Sequence, residues 1–197
     1  MNSIIAKLSL LAACLMLTGA SQVYAQGPQR ERTAVAAQIV AEKDKPASAA
    51  QIVALDECDP TTFNMALGPG FCHNVALGAS TKLLDLFAKA AAGTPDPNWD
   101  FEPDTVKIKK GAPLTVVDQG GEPHTFTEVA EFGGGFIAEL NGGEEVVPEC
   151  ANGFSNIAVA RTRILQGSQL QINGLSQGEH KFQCCIHPWM RATVDVK

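Results

Sequence analysis

Apolar and polar positions alternate in short runs through the second half of the chain. Val106 and Ile108 alternate with Lys107 and Lys109, His124 and Phe126 with Thr125 and Thr127, and Ala192, Val194 and Val196 with Thr193 and Asp195. Leu114 and Val116 flank Thr115, and Leu170 and Ile172 lie among Gln and Asn. Period two in short runs broken by Gly and Pro predicts strands. Several such runs with no helical period between them predict an all-β chain, a β-sandwich over residues 98–197. Residues 128–160 interrupt the rhythm with Gly133-Gly134-Gly135, Gly142-Gly143 and Cys150. They predict a long inserted loop, of a length that is usually functional or specially tied down.

The first half is patterned differently. Leu83, Leu84, Leu86 and Phe87 form the apolar side of a helix expected over 81–92, with Ser80 as its cap and Gly93 as its stop. Cys58 and Cys72 bracket Pro60, Gly68, Pro69 and Gly70, where a disulfide would close a short loop. Residues 57–97 are therefore expected to form a cysteine-containing extension with one helix. Residues 26–56 are rich in Ala, Gln, Glu and Lys and predict a flexible linker. Residues 1–25 have the form of a signal peptide: Lys7, an apolar stretch Leu8–Leu17 too short to span a bilayer, and Val23-Tyr24-Ala25 as a cleavage site after Ala25. Leu11-Ala12-Ala13-Cys14 offers the rival of a lipid anchor on Cys14. Both readings place the protein outside the cytoplasm, in a periplasmic or otherwise exported location, and no other run is apolar enough for a spanning helix.

Composition narrows the function. A formal net charge of −6 and the absence of a basic stripe argue against nucleic acid as a partner. Cleavage of the leader would remove Cys14 and leave Cys58, Cys72, Cys150, Cys184 and Cys185. An odd number of cysteines in an oxidising compartment leaves one thiol after two bridges, and a metal bond would protect it.

The chemistry concentrates near the C-terminal end, in Gly178-Glu179-His180-Lys181-Phe182-Gln183-Cys184-Cys185-Ile186-His187-Pro188-Trp189-Met190. Alternation puts His180, Phe182 and Cys184 on one face, and Phe182 marks that face as inward. Cys185 then points the other way. His187 follows Cys184 by three residues and Met190 follows His187 by three. A thiolate and two imidazoles make a trigonal set for copper, and a thioether adds a weak axial bond. His124, just after the turn Gly120-Gly121-Glu122-Pro123, supplies the second imidazole from a different strand. The expected metal ligands are His124, Cys184, His187 and Met190. His180 is expected to be a buried polar packing residue, His73 a surface residue, and Trp189 a shield for His187, a docking residue or ordinary packing.

These two segments resemble the cupredoxin family, plastocyanin and amicyanin in particular. Pro188 after His187 and the short spacing to Met190 are amicyanin-like. Gly178-x-His180-x-Phe182-x-Cys184 is similar to the plastocyanin strand, with His180 where Tyr is common. The resemblance covers about half the chain and leaves residues 26–97 outside it. It implies a Greek-key sandwich, one type 1 copper, Cu(I)/Cu(II) cycling without enzymatic turnover, and a redox partner protein. Cys150 and Cys185 would bridge to tie the long loop against the copper end. The alternative makes Cys185 a second sulfur ligand in a copper carrier or storage protein with no redox partner. Further oxidase-type copper sites need more than the four histidines present.

Overall fold

The computed structural model describes residues 45–73 and 80–197. The signal peptide, its cleavage site, Cys14 and residues 26–44 of the expected linker lie outside the described residues. In chain order the described strands are β1 (Ala50–Leu55), β2 (Asp100–Glu102), β3 (Thr105–Ile108), β4 (Leu114–Asp118), β5 (His124–Thr125), β6 (Thr127–Val129), β7 (Arg163–Ile164), β8 (Gln169–Ile172), β9 (Gly178–Gln183) and β10 (Arg191–Val196). The helices are α1 (Pro60–Leu67), α2 (Leu83–Ala91) and the short α3 (Ile157–Arg161). One sheet runs β2-β1-β4-β8, the other β3-β10-β9-β6, and β5 pairs with β7. The result is the expected β-sandwich.

Two mixed pairings carry the topology. β1 lies parallel to β4, from Ala50 opposite Leu114 to Ala54 opposite Asp118, and antiparallel to β2. β10 lies parallel to β3 and antiparallel to β9. β1 falls within the stretch expected to be a linker, and it corrects that expectation. Its alternation is short and Ala-rich, yet Ile52 and Ala54 are completely buried. Residues 57–97 are likewise no appendage. Phe63, Cys72, Leu83, Leu86 and Ala90 belong to the same core cluster as Phe101, Leu114, Val116, Phe126, Phe182 and Val194. Phe126 anchors that core, edge-on to Phe101 at 5.0 Å and stacked on Phe182 at 4.4 Å.

Local chemistry explains the helices. Asp59 caps α1, its carboxylate accepting the Thr62 N–H at 2.8 Å, with Pro60 in the first turn. α2 starts two residues later than a Ser80 cap would set it. Lys82 stands at the cap without a side-chain bond, and the Leu83 N–H donates instead to Thr62 Oγ1 of α1 at 3.1 Å. A tertiary partner has replaced the local cap. Leu83, Leu86 and Ala90 form the buried face, whereas Leu84 is exposed.

The long loop between β6 and β7 is folded down onto the end of the sandwich. Gln183 clamps it, its amide donating to the Gly133 carbonyl at 3.0 Å and its carbonyl accepting the Gly133 N–H at 3.1 Å. At Gly135 a Cβ would lie 2.1 Å from the Cys185 carbonyl oxygen, so only glycine permits the approach. The Cys150–Cys185 disulfide closes the contact. Cys185 does face away from Cys184, but not toward solvent: with Val129, Val147, Cys150 and Val159 it forms a second small core beneath the loop.

Candidate metal centre

Three of the four expected ligands converge. His124 opens β5 immediately after the turn that follows β4, and Cys184 directly follows the end of β9. His187 and Met190 lie in the tight connection from β9 to β10. That connection is closed by backbone bonds, Met190 N–H to the His187 carbonyl at 2.9 Å and Cys184 N–H to the Met190 carbonyl at 3.0 Å. It is stitched to β5 through the Cys185 N–H, which donates to Thr125 Oγ1 at 2.7 Å, and the Thr125 N–H, which points at Cys184 Sγ at 3.4 Å.

Cys184 Sγ lies 3.9 Å from His124 Nδ1 and 4.0 Å from His187 Nδ1. Ligand atoms of the three residues all fall within 4.8 Å of one another. Metal–sulfur bonds of about 2.3 Å and metal–nitrogen bonds of about 2.0 Å, opened to a trigonal angle, separate sulfur from nitrogen by about 3.7 Å. The spacing and the soft-sulfur, imidazole donor set therefore fit a single copper-sized ion. Both histidines offer Nδ1 to the centre. Met190 is completely buried in the same connection.

Behind the rings stand carboxylates that the sequence did not single out. His124 Nε2 lies 2.9 Å from Asp56 Oδ2, both side chains fully buried. That oxygen also accepts the Glu122 N–H at 2.9 Å, and Asp56 Oδ1 accepts the Cys58 N–H at 3.1 Å. His187 Nε2 lies 3.6 Å from Glu122 Oε2, which accepts the Trp99 indole N–H at 2.8 Å. Asp118, another buried carboxylate, accepts the Gly120 N–H through Oδ1, while its Oδ2 has no partner. Glu122 lies in the turn two residues before β5, beyond the reach of the strand alternation. No local pattern could have found Asp56, because its partner is 68 residues away in the chain.

The electrostatics follow from burial and pairing. Burial alone would push the Cys184 thiol up, but hydrogen bonds and charge from His124 and His187 outweigh it and hold the thiol well below its ordinary range. Burial likewise opposes charge on His124, yet the bonds to Asp56 and Cys184 raise its pKa well above the usual value. Asp56 is lowered because its His124 bond and backbone N–H donors overcome burial. Burial raises Glu122, and raises Asp118 to about 7. A lowered thiol suits the site, since thiolate is the form a metal requires of cysteine.

The remaining candidates fall outside the centre. His180 binds Glu128 at 2.6 Å and the Ser176 carbonyl at 2.9 Å. His73 is exposed. Cys185 is bridged to Cys150 and Cys58 to Cys72, which leaves Cys184 as the free cysteine among the described residues and removes Cys185 as a sulfur ligand. Trp189 packs edge-on against the His187 ring at 5.5 Å. An apolar cleft of about 220 Å³ opens beside the centre. Leu67, Phe87, Phe136 and Phe154 are among its walls, and Glu122 and His187 also line it.

No family model matches the chain, and no curated protein matches it. Among solved structures it is similar to a purple cupredoxin from Nitrosopumilus maritimus, 18% identical, with a TM-score of 0.38 over 75% of this chain and 99% of that one. It is also similar to a reduced amicyanin variant, 18% identical, TM-score 0.33, covering 50% of this chain and 73% of that one. A Cu(I) amicyanin variant is 18% identical, TM-score 0.34, covering 54% and 89%. At identities and scores this low the likenesses decide nothing about the site, and the sandwich rests on its own strand pairing.

Proposed function

We propose that this protein is an exported, cupredoxin-like carrier of single electrons, in which His124, Cys184, His187 and Met190 would hold one type 1 copper ion. The observation that carries the reading is the buried trio whose sulfur and two ring nitrogens stand 3.9 and 4.0 Å apart. Copper, when bound, supplies the Cu(I)/Cu(II) couple. The chain supplies rigidity: the ligand connection is closed on itself and bonded to β5, so the donors keep their places in both oxidation states. It also excludes water, since His124 and Cys184 have no exposed surface and His187 has 2%. His187, lining the apolar cleft, is the route by which electrons reach a docked redox partner protein.

A copper carrier that hands over its ion is the rival. Burial speaks against it, because none of the three donors is open to an acceptor's ligand. Cu(II) loading with visible spectroscopy and voltammetry tests the proposal. An intense blue band that bleaches and returns through reversible reduction is expected, and Cys184→Ser should abolish it. A colourless complex that cannot be cycled would overturn the reading.

A further inference from the structure

We infer that Asp56 is a positioning residue for the metal centre: its carboxylate holds His124 through Nε2 and places a fixed negative charge behind the ring, favouring the more positive oxidation state of the ion. The inference rests on the copper reading above and goes beyond it, because Asp56 directly follows β1 and is not itself a proposed ligand.

Four observations support it. The Oδ2–Nε2 separation is 2.9 Å, and neither side chain has any exposed surface. The carboxylate is held from three sides: the Cys58 N–H donates to Oδ1, and both the Glu122 N–H and the His124 ring face Oδ2. The chain makes room for it, since a Cβ on Gly120 would lie 2.0 Å from Oδ2. Finally, the bond fixes the tautomer. With Nε2 donating to a carboxylate, Nδ1 is left as the lone-pair atom, and Nδ1 is the nitrogen that faces Cys184 Sγ. A carboxylate behind a metal-bound imidazole raises the basicity of the ligand and orients it. With both side chains buried, its charge is screened less from the ion than it would be in water. Glu122 stands behind His187 in the same way, but at 3.6 Å and shared with the Trp99 indole, so it is the weaker of the two.

Two measurements test this. In the copper-loaded protein, Asp56→Asn keeps a side chain of the same size and removes the charge. The Cu(II)/Cu(I) balance should move toward Cu(I) by tenfold or more, a rise in potential of about 59 mV for one electron, with the blue band retained. An unchanged potential with the band intact would overturn the role of Asp56 and leave the copper reading standing. A wild-type protein with no blue band would overturn the copper reading itself. Should the variant not fold, the metal-free wild-type chain still decides: proton NMR should give the His124 Nε2–H as a far-downfield signal protected from exchange. A His124 Nε2–H in fast exchange with water would refute the assignment.

Discussion

At the scale of single residues, the centre depends on side chains chosen for what they leave open as much as for what they bind. Gly120 is one. An added methyl there would meet Asp56 at Oδ2, at Cγ and at its backbone N, at 2.0, 2.7 and 2.9 Å. Gly120→Ala should therefore cost about 1–3 kcal/mol, as forced overpacking does, read from the shift of a denaturant midpoint. The convergence of His124, Cys184 and His187 was legible because cysteine and histidine at short spacing have few other uses. Asp56 and Trp99 were not, since an acid before a cysteine and a tryptophan after a proline carry no local signature. His180 shows a different kind of side chain, one that titrates. Burial opposes its charge, but its bond to Glu128, the Ser176 carbonyl and the nearby carboxylate raise its pKa above the ordinary 6.5. The folded chain thus holds this proton more tightly than the unfolded one. The pair's contribution is complete below the unfolded pKa and is lost as pH rises through the folded value. Glu128 is half exposed, which limits the effect to less than about 1 kcal/mol. Glu128→Gln should be less stable than the parent at about pH 5.5, and the gap should close toward alkaline pH. A gap independent of pH would show that the ring stays neutral.

At the scale of elements, the two disulfides brace the two halves of the centre. Cys58–Cys72 closes a loop of separation 14 beside Asp56, and the next residue, His73, donates its N–H to the Gly121 carbonyl in the turn before His124. Cys150–Cys185 spans 35 residues and fixes the long loop to the neighbour of Cys184. Loop-closure entropy gives about 3 kcal/mol for the first and about 4 kcal/mol for the second. Chemical unfolding of Cys58→Ala/Cys72→Ala and Cys150→Ala/Cys185→Ala variants should return losses in that order. Equal losses would mean that native contacts, not restriction of the unfolded chain, dominate. Both pairings were legible, the first from the turn residues between Cys58 and Cys72 and the second from Cys185 facing away from Cys184 with Cys150 in the inserted loop, and the loop itself was legible from its glycines. The start of α2 was not, because its first N–H is satisfied by Thr62 of another helix rather than by a cap in sequence. The small core around Cys185 was not legible either, because the loop that covers it is apolar only at scattered positions, Val147, Cys150 and Val159.

At the scale of the whole molecule, the boundary expected at residue 98 does not separate a domain from an extension. β1 is an inner strand, with β2 on one side and β4 on the other. Its composition hid it, because Ala50-Gln51-Ile52-Val53-Ala54-Leu55 has few large apolar residues and follows an Ala-rich stretch. What makes it a strand is tertiary: five residues in register with β4, and Ile52 and Ala54 in the same core cluster as Phe63, Leu86 and Trp99. The cupredoxin resemblance, confined to the later half, could not reach this. A fragment of residues 98–197 would carry every proposed ligand, yet lack the strand between β2 and β4, both α1 and α2, and Asp56. Buried Phe101, Leu114 and Val116 would face water where those elements stood. The fragment should therefore show neither a cooperative thermal transition nor the near-ultraviolet dichroism of packed aromatic rings, while the full chain shows both. A cooperative transition in the fragment, together with a blue band on adding Cu(II), would mean that the first half only decorates a self-sufficient sandwich. Loss of both in the fragment alone would instead make β1 and its helices part of the apparatus that holds the metal.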